Sequence, residues 1–69
     1  MNIPLGFVHL DSRVLQLIQS IEVVSSIARK EGKENNAIAL FRLRREIREG
    51  LSYEQAKVIF DNQTKDIFS

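Results

Sequence analysis

The segment SRVLQLIQSIEVVSSIARK, residues 12–30, constrains the fold of this chain more than any other part of it. Its apolar residues recur at alternating steps of three and four, and neither glycine nor proline interrupts them. That spacing draws one apolar stripe along an α-helix, with polar side chains opposite. The β-branched run SIEVVSSI would also suit a strand, but the length of the uninterrupted helical spacing favours a helix over residues 12–30. Its stripe comprises Val14, Leu17, Ile21, Val24 and Ala28.

Two glycines mark the ends of helices along the chain. Gly32 follows the first helix and Gly50 follows a second periodic segment. Glycine tolerates the left-handed conformation that closes helices, so both positions indicate stops. The second segment therefore predicts a helix over residues 34–49. Its apolar side holds Ala37, Leu40, Phe41, Leu43 and Ile47.

The third helix has the clearest start signal. Ser52 and Gln55 have the spacing of a capping box, and Leu51 before the cap can pack on Ala56 as a hydrophobic staple. A helix over residues 52–62 is predicted, and the pattern leaves open whether it continues to Ile67 and Phe68. The side chains expected to face inward are Tyr53, Ala56, Ile59 and Phe60.

The first eleven residues, MNIPLGFVHLD, differ from the rest. Pro4 and Gly6 argue against a helix there and favour an extended arm over residues 1–11. The sequence thus predicts an all-α fold, with one small three-helix domain over residues 1–69. A long first helix precedes an αα-hairpin made of the second and third helices.

The small size of the chain raises the question of what stabilises it. At 69 residues a domain is marginal without a disulfide, a metal or a partner chain. The chain has no cysteine and one histidine, His9, so a partner chain remains. The apolar stripe of the first helix is also broader than two neighbouring helices are expected to cover. We therefore predict a homodimer, with a lone monomer as the alternative; the predicted interface comprises Leu15, Ile18, Ile21, Val24 and Ile27, assisted by the arm.

Catalysis has little support in the sequence. There is no cysteine nucleophile, no glycine-rich phosphate loop and no HExxH helix. His9 has no orienting partner near it in the sequence, and we expect it to pack or to cap. We therefore expect no enzymatic activity, no cofactor and no metal. The chain has neither a basic signal-peptide start nor an apolar run long enough to cross a membrane, so a cytoplasmic location without membrane contact is expected.

Arginines cluster in the stretch FRLRREIREG. Two of them have an acid four residues ahead, which suits i,i+4 ion pairs: Arg42 with Glu46, and Arg45 with Glu49. Arg44 and Arg48 have no acid at such spacings, so we expect both to lack a counter-charge, and both lie on the side of Phe41. A guanidinium pair beside an aromatic ring suits carboxylate or phosphate groups. The predicted partner-binding residues are Phe41, Arg44 and Arg48.

The predicted function is binding. A net charge of +1 is too balanced to imply a polyanionic partner for the whole molecule. The leading hypothesis is a small regulatory or inhibitory protein, of the kind found in bacteria and phages, that docks onto a larger protein. The alternative is a nucleic-acid-associated module that uses the Arg42–Arg48 cluster. Reading of DNA by the third helix is disfavoured, because its outward Glu54 and Asp61 would face phosphate.

Overall fold

The computed structural model describes residues 12–69, which form three α-helices: α1 (Ser12–Lys30), α2 (Glu34–Arg48) and α3 (Tyr53–Phe68). These described residues contain no strand, so the predicted all-α class and the three helices are confirmed. The predicted arm over residues 1–11, with His9, lies outside the described residues. The β-branched run SIEVVSSI lies within α1, so its interpretation as part of a helix is confirmed.

Two tight turns fold the helices back on one another. Gly32 and Gly50 have φ values of +78° and +116°, in the region that favours glycine. The backbone N–H of Lys33 donates to the carbonyl of Ala28 at 2.8 Å, and that of Leu51 donates to Glu46 at 2.9 Å. These 6→1 hydrogen bonds satisfy carbonyls left over at the helix ends, as in a Schellman motif. Each helix consequently runs antiparallel to the one before it.

The core lies where the three helices meet. The predicted stripe of α1 does face it: Leu17, Ile21 and Ala28 are buried, and Val14 and Val24 pack against the buried cluster. The buried residues that α2 and α3 contribute are Ala37, Leu40, Leu43, Ile47, Ala56 and Ile67. Each buried leucine or isoleucine among them stabilises the fold by about 1.5–3 kcal/mol relative to an exposed one.

Two side chains that the sequence assigns to the inward sides remain at the surface. Phe41 is 42% exposed and Ile59 is 36% exposed. Helical geometry gives the reason on α2. Phe41 lies about 100° from Leu40 around the helix axis, and Leu40 is fully buried. The inward side of α2 is therefore narrower than predicted, and Phe41 lies beyond its edge.

Helix α3 extends six residues beyond the predicted end at 62, and α2 holds the extension in place. Ile67 is buried at 4% exposure. The Nζ of Lys33 donates to the carbonyl oxygens of Ile67 at 2.6 Å and of Asp66 at 3.4 Å. The Nδ2 of Asn36 donates to Gln63 Oε1 and to Asp66 Oδ2, both at 2.8 Å. A lysine at the start of α2 thus caps the C-terminal end of α3, where cations are favoured.

The start of α3 agrees with the predicted cap. The backbone N–H of Gln55 donates to Ser52 Oγ at 3.3 Å. Gln55 Oε1 accepts from the Ser52 hydroxyl at 3.2 Å, where the capping box predicts a bond to the backbone of Ser52. On the same helix, hydrogen bonds from Lys57 to Asp61 raise the pKa of Lys57. The cap and the Lys57–Asp61 pair both lie within α3 and its N-cap and involve neither α1 nor α2.

Candidate docking groove

Two exposed apolar side chains lie one turn apart on α2. Phe41 is 42% exposed and Ile38 is 53% exposed, whereas their neighbours Leu40 and Ala37 are buried. Residues three apart face the same side of a helix. Phe41 and Ile38 therefore form one apolar strip on the outer surface of α2.

This apolar strip borders two adjoining open pockets between α1 and α2, which share Arg29 and Phe41 and which we together call the Phe41 groove. The residues that line it from α1 are Glu22, Ser25, Ser26, Arg29 and Lys30, and those from α2 are Glu34, Ala37, Ile38 and Phe41. Two of these residues explain why the groove exists. Ser25 and Ala37 are both buried and both small, so little side-chain volume fills the floor between α1 and α2 at this point.

Ser25 shows how a polar residue is accommodated beneath the groove. It is 1% exposed, and its hydroxyl donates to the carbonyl of Glu22 at 3.0 Å within α1. No buried side-chain polar atom in residues 12–69 lacks a hydrogen-bond partner. The floor of the groove therefore presents no unsatisfied polar group to a ligand, and its recognition chemistry comes from the rim and from the apolar strip.

The rim of the Phe41 groove is cationic. Exposed Arg29 and Lys30 lie on the α1 side, and exposed Arg42 and Arg45 adjoin Phe41 and Ile38 on the outer side of α2. Within residues 12–69, none of these four side chains makes an ion pair. Solvated, unpaired guanidinium groups keep their hydrogen-bond donors for carboxylate or phosphate oxygens.

The ion pairs differ from those that the sequence predicts. Arg44 Nη1 lies 2.6 Å from Glu22 Oε2, although the sequence indicates no acid for Arg44. Conversely, the pairs predicted between Arg42 and Glu46 and between Arg45 and Glu49 are absent from the described part of the chain. The acid that meets Arg44 lies on α1, so helix-internal spacing could not reveal it. The expectation that Arg44 has no counter-charge was wrong.

The three predicted partner-binding residues have different surroundings. Phe41 lines the groove. Arg44 is held in the pair with Glu22, with 31% of its side chain exposed, and it joins α2 to α1. Arg48 is exposed, makes no ion pair within residues 12–69, and lies two turns beyond Phe41 on α2. Of the two predicted partner-binding arginines, Arg48 is therefore the one whose charge is uncompensated within residues 12–69.

The predicted dimer-interface residues do not form one exposed face. Ile21 is fully buried between the helices, so its side chain has no exposed surface within residues 12–69, and its assignment to a dimer interface stays a prediction. Ile18 and Val24 pack against the core, and Ile27 is half-buried. Leu15 is the exposed member at 46%. The reason is that α2 and α3 cover α1 from two sides, which the sequence underestimated.

Sequence reasoning missed Ile38, Arg29 and Lys30 as groove residues. Ile38 carried a usable signal, because it precedes Phe41 by three residues. The two cations of α1 carried none, since their proximity to Phe41 depends on how α1 packs on α2. Other aliphatic side chains are also exposed, among them Val23 and Val58, as is common on protein surfaces.

Neither a metal-binding cluster nor a membrane-spanning helix is found in residues 12–69. Residues 12–69 contain no group of three or more metal-ligating side chains that could hold an ion. None of the three helices combines the length and the apolar character that crossing a bilayer requires.

Comparisons of the chain with protein-family models, with curated proteins and with solved structures gave no match.

Proposed function

We propose that this chain is a small, non-enzymatic regulatory or inhibitory protein that acts by docking its Phe41 groove onto a larger protein. The observation that carries this proposal is the exposure of Phe41 and Ile38 side by side within a rim of cations that make no ion pair in residues 12–69. Aromatic side chains and arginine are the types most enriched where proteins bind one another. If Ile38 and Phe41 stayed in water, the free energy that is released when such side chains are buried would not be gained.

Nucleic acid is the second candidate partner. Arg42, Arg45 and Arg48 make no ion pair within residues 12–69, which favours phosphate contacts. The neighbour of Phe41 is the aliphatic Ile38, whereas surfaces that bind single strands stack successive bases on several aromatic rings. A protein partner therefore fits the apolar strip better, and nucleic acid remains the alternative.

The predicted homodimer and the cytoplasmic location stay predictions. Leu15 and Val23 are the exposed large apolar residues of α1, at 46% and 60%. They are eight residues apart and lie about 80° apart around the helix axis. Self-association through α1 would therefore use a smaller apolar area than the sequence suggests.

Site-specific photo-crosslinking tests the proposed function. Benzoyl-phenylalanine is introduced at position 41, where it preserves an aromatic ring, and separately at position 58 as a matched control on α3. Val58 is 60% exposed, so both sites reach solvent. After irradiation of cells that express the protein, we expect a discrete protein adduct from position 41 and none from position 58.

The other outcomes of this crosslinking experiment are equally clear. An adduct that nuclease treatment removes would assign the surface to nucleic acid. Equal adducts from positions 41 and 58, or none from position 41, would contradict docking through the Phe41 groove.

A further inference from the structure

The chemistry of the Phe41 groove indicates what kind of segment fits it. We propose that the groove binds an acidic amphipathic helix of a partner protein, whose apolar face covers Ile38 and Phe41 and whose carboxylates meet the cations of the rim. This inference rests on the proposed docking function and names the class of partner.

The charges around the groove favour an acidic occupant. Four exposed cations surround the apolar strip: Arg29, Lys30, Arg42 and Arg45. The two acids of the groove lining offset them only in part. Glu22 is engaged by Arg44 at 2.6 Å, which leaves Glu34 at the edge of the groove without an ion pair in residues 12–69. A carboxylate-rich segment gains attraction there, and a lysine-rich segment is repelled.

The walls of the groove favour a helical occupant. Both walls are α-helices, whose backbone N–H and C=O groups already bond within their own helix. Such walls offer no backbone partners to an extended peptide, which would leave its own polar groups unpaired where the groove excludes water. A helix satisfies its backbone internally and offers only side chains, as in other helix-in-groove complexes.

The length of the Phe41 groove fits a short helical contact. Glu34 and Phe41 mark the two ends of the groove on α2, and their separation corresponds to about 10 Å along the helix axis. Ile38 lies between them. An occupant therefore needs apolar side chains on one face over about two helical turns, with acids on both flanks to reach α1 on one side and α2 on the other.

Two designed peptides test this inference. Each is a fluorescein-labelled helix of about 16 residues, long enough to be partly helical in water. Both carry leucine at i, i+3, i+4 and i+7. One has glutamate at the flanking positions and the other has lysine. We expect fluorescence anisotropy to detect binding of the glutamate peptide to the full chain and much weaker binding of the lysine peptide.

Variants of exposed residues identify the surface that the glutamate peptide uses. Phe41→Ala is expected to weaken binding by about 10-fold or more, since a central aromatic anchor dominates such contacts. The double substitution Arg42→Glu/Arg45→Glu is expected to weaken binding of the glutamate peptide and to strengthen binding of the lysine peptide. Val58→Ala, on α3, is the matched control and is expected to leave binding unchanged. Circular dichroism checks that each variant is folded.

Several results would overturn the inference. These are no binding of the glutamate peptide, equal binding of both peptides, or binding that survives Phe41→Ala. Self-association that depends on Phe41 would assign the groove to a second copy, and tight Phe41-dependent binding of a poly-dT oligonucleotide would assign it to nucleic acid. If the glutamate peptide did not bind but position 41 still gave a specific protein crosslink, the acidic helix would be refuted and the docking function would stand.

Discussion

Replacing Ile21 by alanine is expected to lower the free energy of unfolding by about 2–5 kcal/mol. Ile21 is fully buried between the three helices, so the substitution leaves a cavity that its neighbours can fill only in part. For a domain of this size that loss is a large share of the total stability. Urea denaturation followed by circular dichroism measures the change.

Val23→Ala is the matched control for Ile21→Ala. Val23 lies on the same helix and is 60% exposed. Its replacement is expected to change stability by less than about 0.5 kcal/mol, because alanine is also the better helix former. Ile21→Ala also separates the two roles that the sequence and the structure give this residue. If the variant kept its stability and instead changed a two-chain particle into one of 7.9 kDa on sedimentation, Ile21 would belong to a dimer interface and the packing described here would be wrong.

Replacing Ile67 by alanine is the second substitution with a large expected effect, about 2 kcal/mol or more. Ile67 lies in the last turn of α3, and the ends of helices commonly fray. Here it is 4% exposed, and Lys33 donates to its carbonyl at 2.6 Å. Loss of its side chain removes the apolar contact that holds the last turn of α3 on the core.

The neighbouring residue provides the control for Ile67→Ala. Phe68 is larger but 57% exposed, so Phe68→Ala is expected to cost well under 1 kcal/mol. Urea denaturation compares the two variants, and amide hydrogen exchange reports on the last turns of α3. A Phe68→Ala variant that lost more stability than Ile67→Ala would show that the C-terminal turns pack differently.

The helices themselves were predictable because their signals are local. Apolar spacing of three and four located α1 and α2, and Gly32 and Gly50 marked both turns. Ser52 marked the start of α3. The C-terminal end of α3 was not predictable, since the run DNQTKD between Phe60 and Ile67 has no apolar residue. What keeps this run helical includes hydrogen bonds from Lys33 and Asn36, which are distant in the sequence.

The candidate site was predictable only in its central residue. Phe41 was identified from its position beside the arginines. The pairing of Arg44 with Glu22 joins residues 22 positions apart, so the spacing of charges along α2 alone could not reveal it. Arg29 reaches the groove only because α1 and α2 pack antiparallel. Information of this kind lies in the packing of helices, not in the spacing along one of them.

The core shelters Ile21, whereas Ile38 lies open to solvent beside Phe41. Methyl NMR of isoleucine-labelled protein, titrated with a soluble gadolinium chelate, measures this difference. We expect strong broadening of the Ile38 methyl signal and little broadening of the Ile21 signal, in accordance with exposures of 53% and 0%. An Ile21 signal as accessible as that of Ile38, or an Ile38 signal protected at every protein concentration, would contradict it.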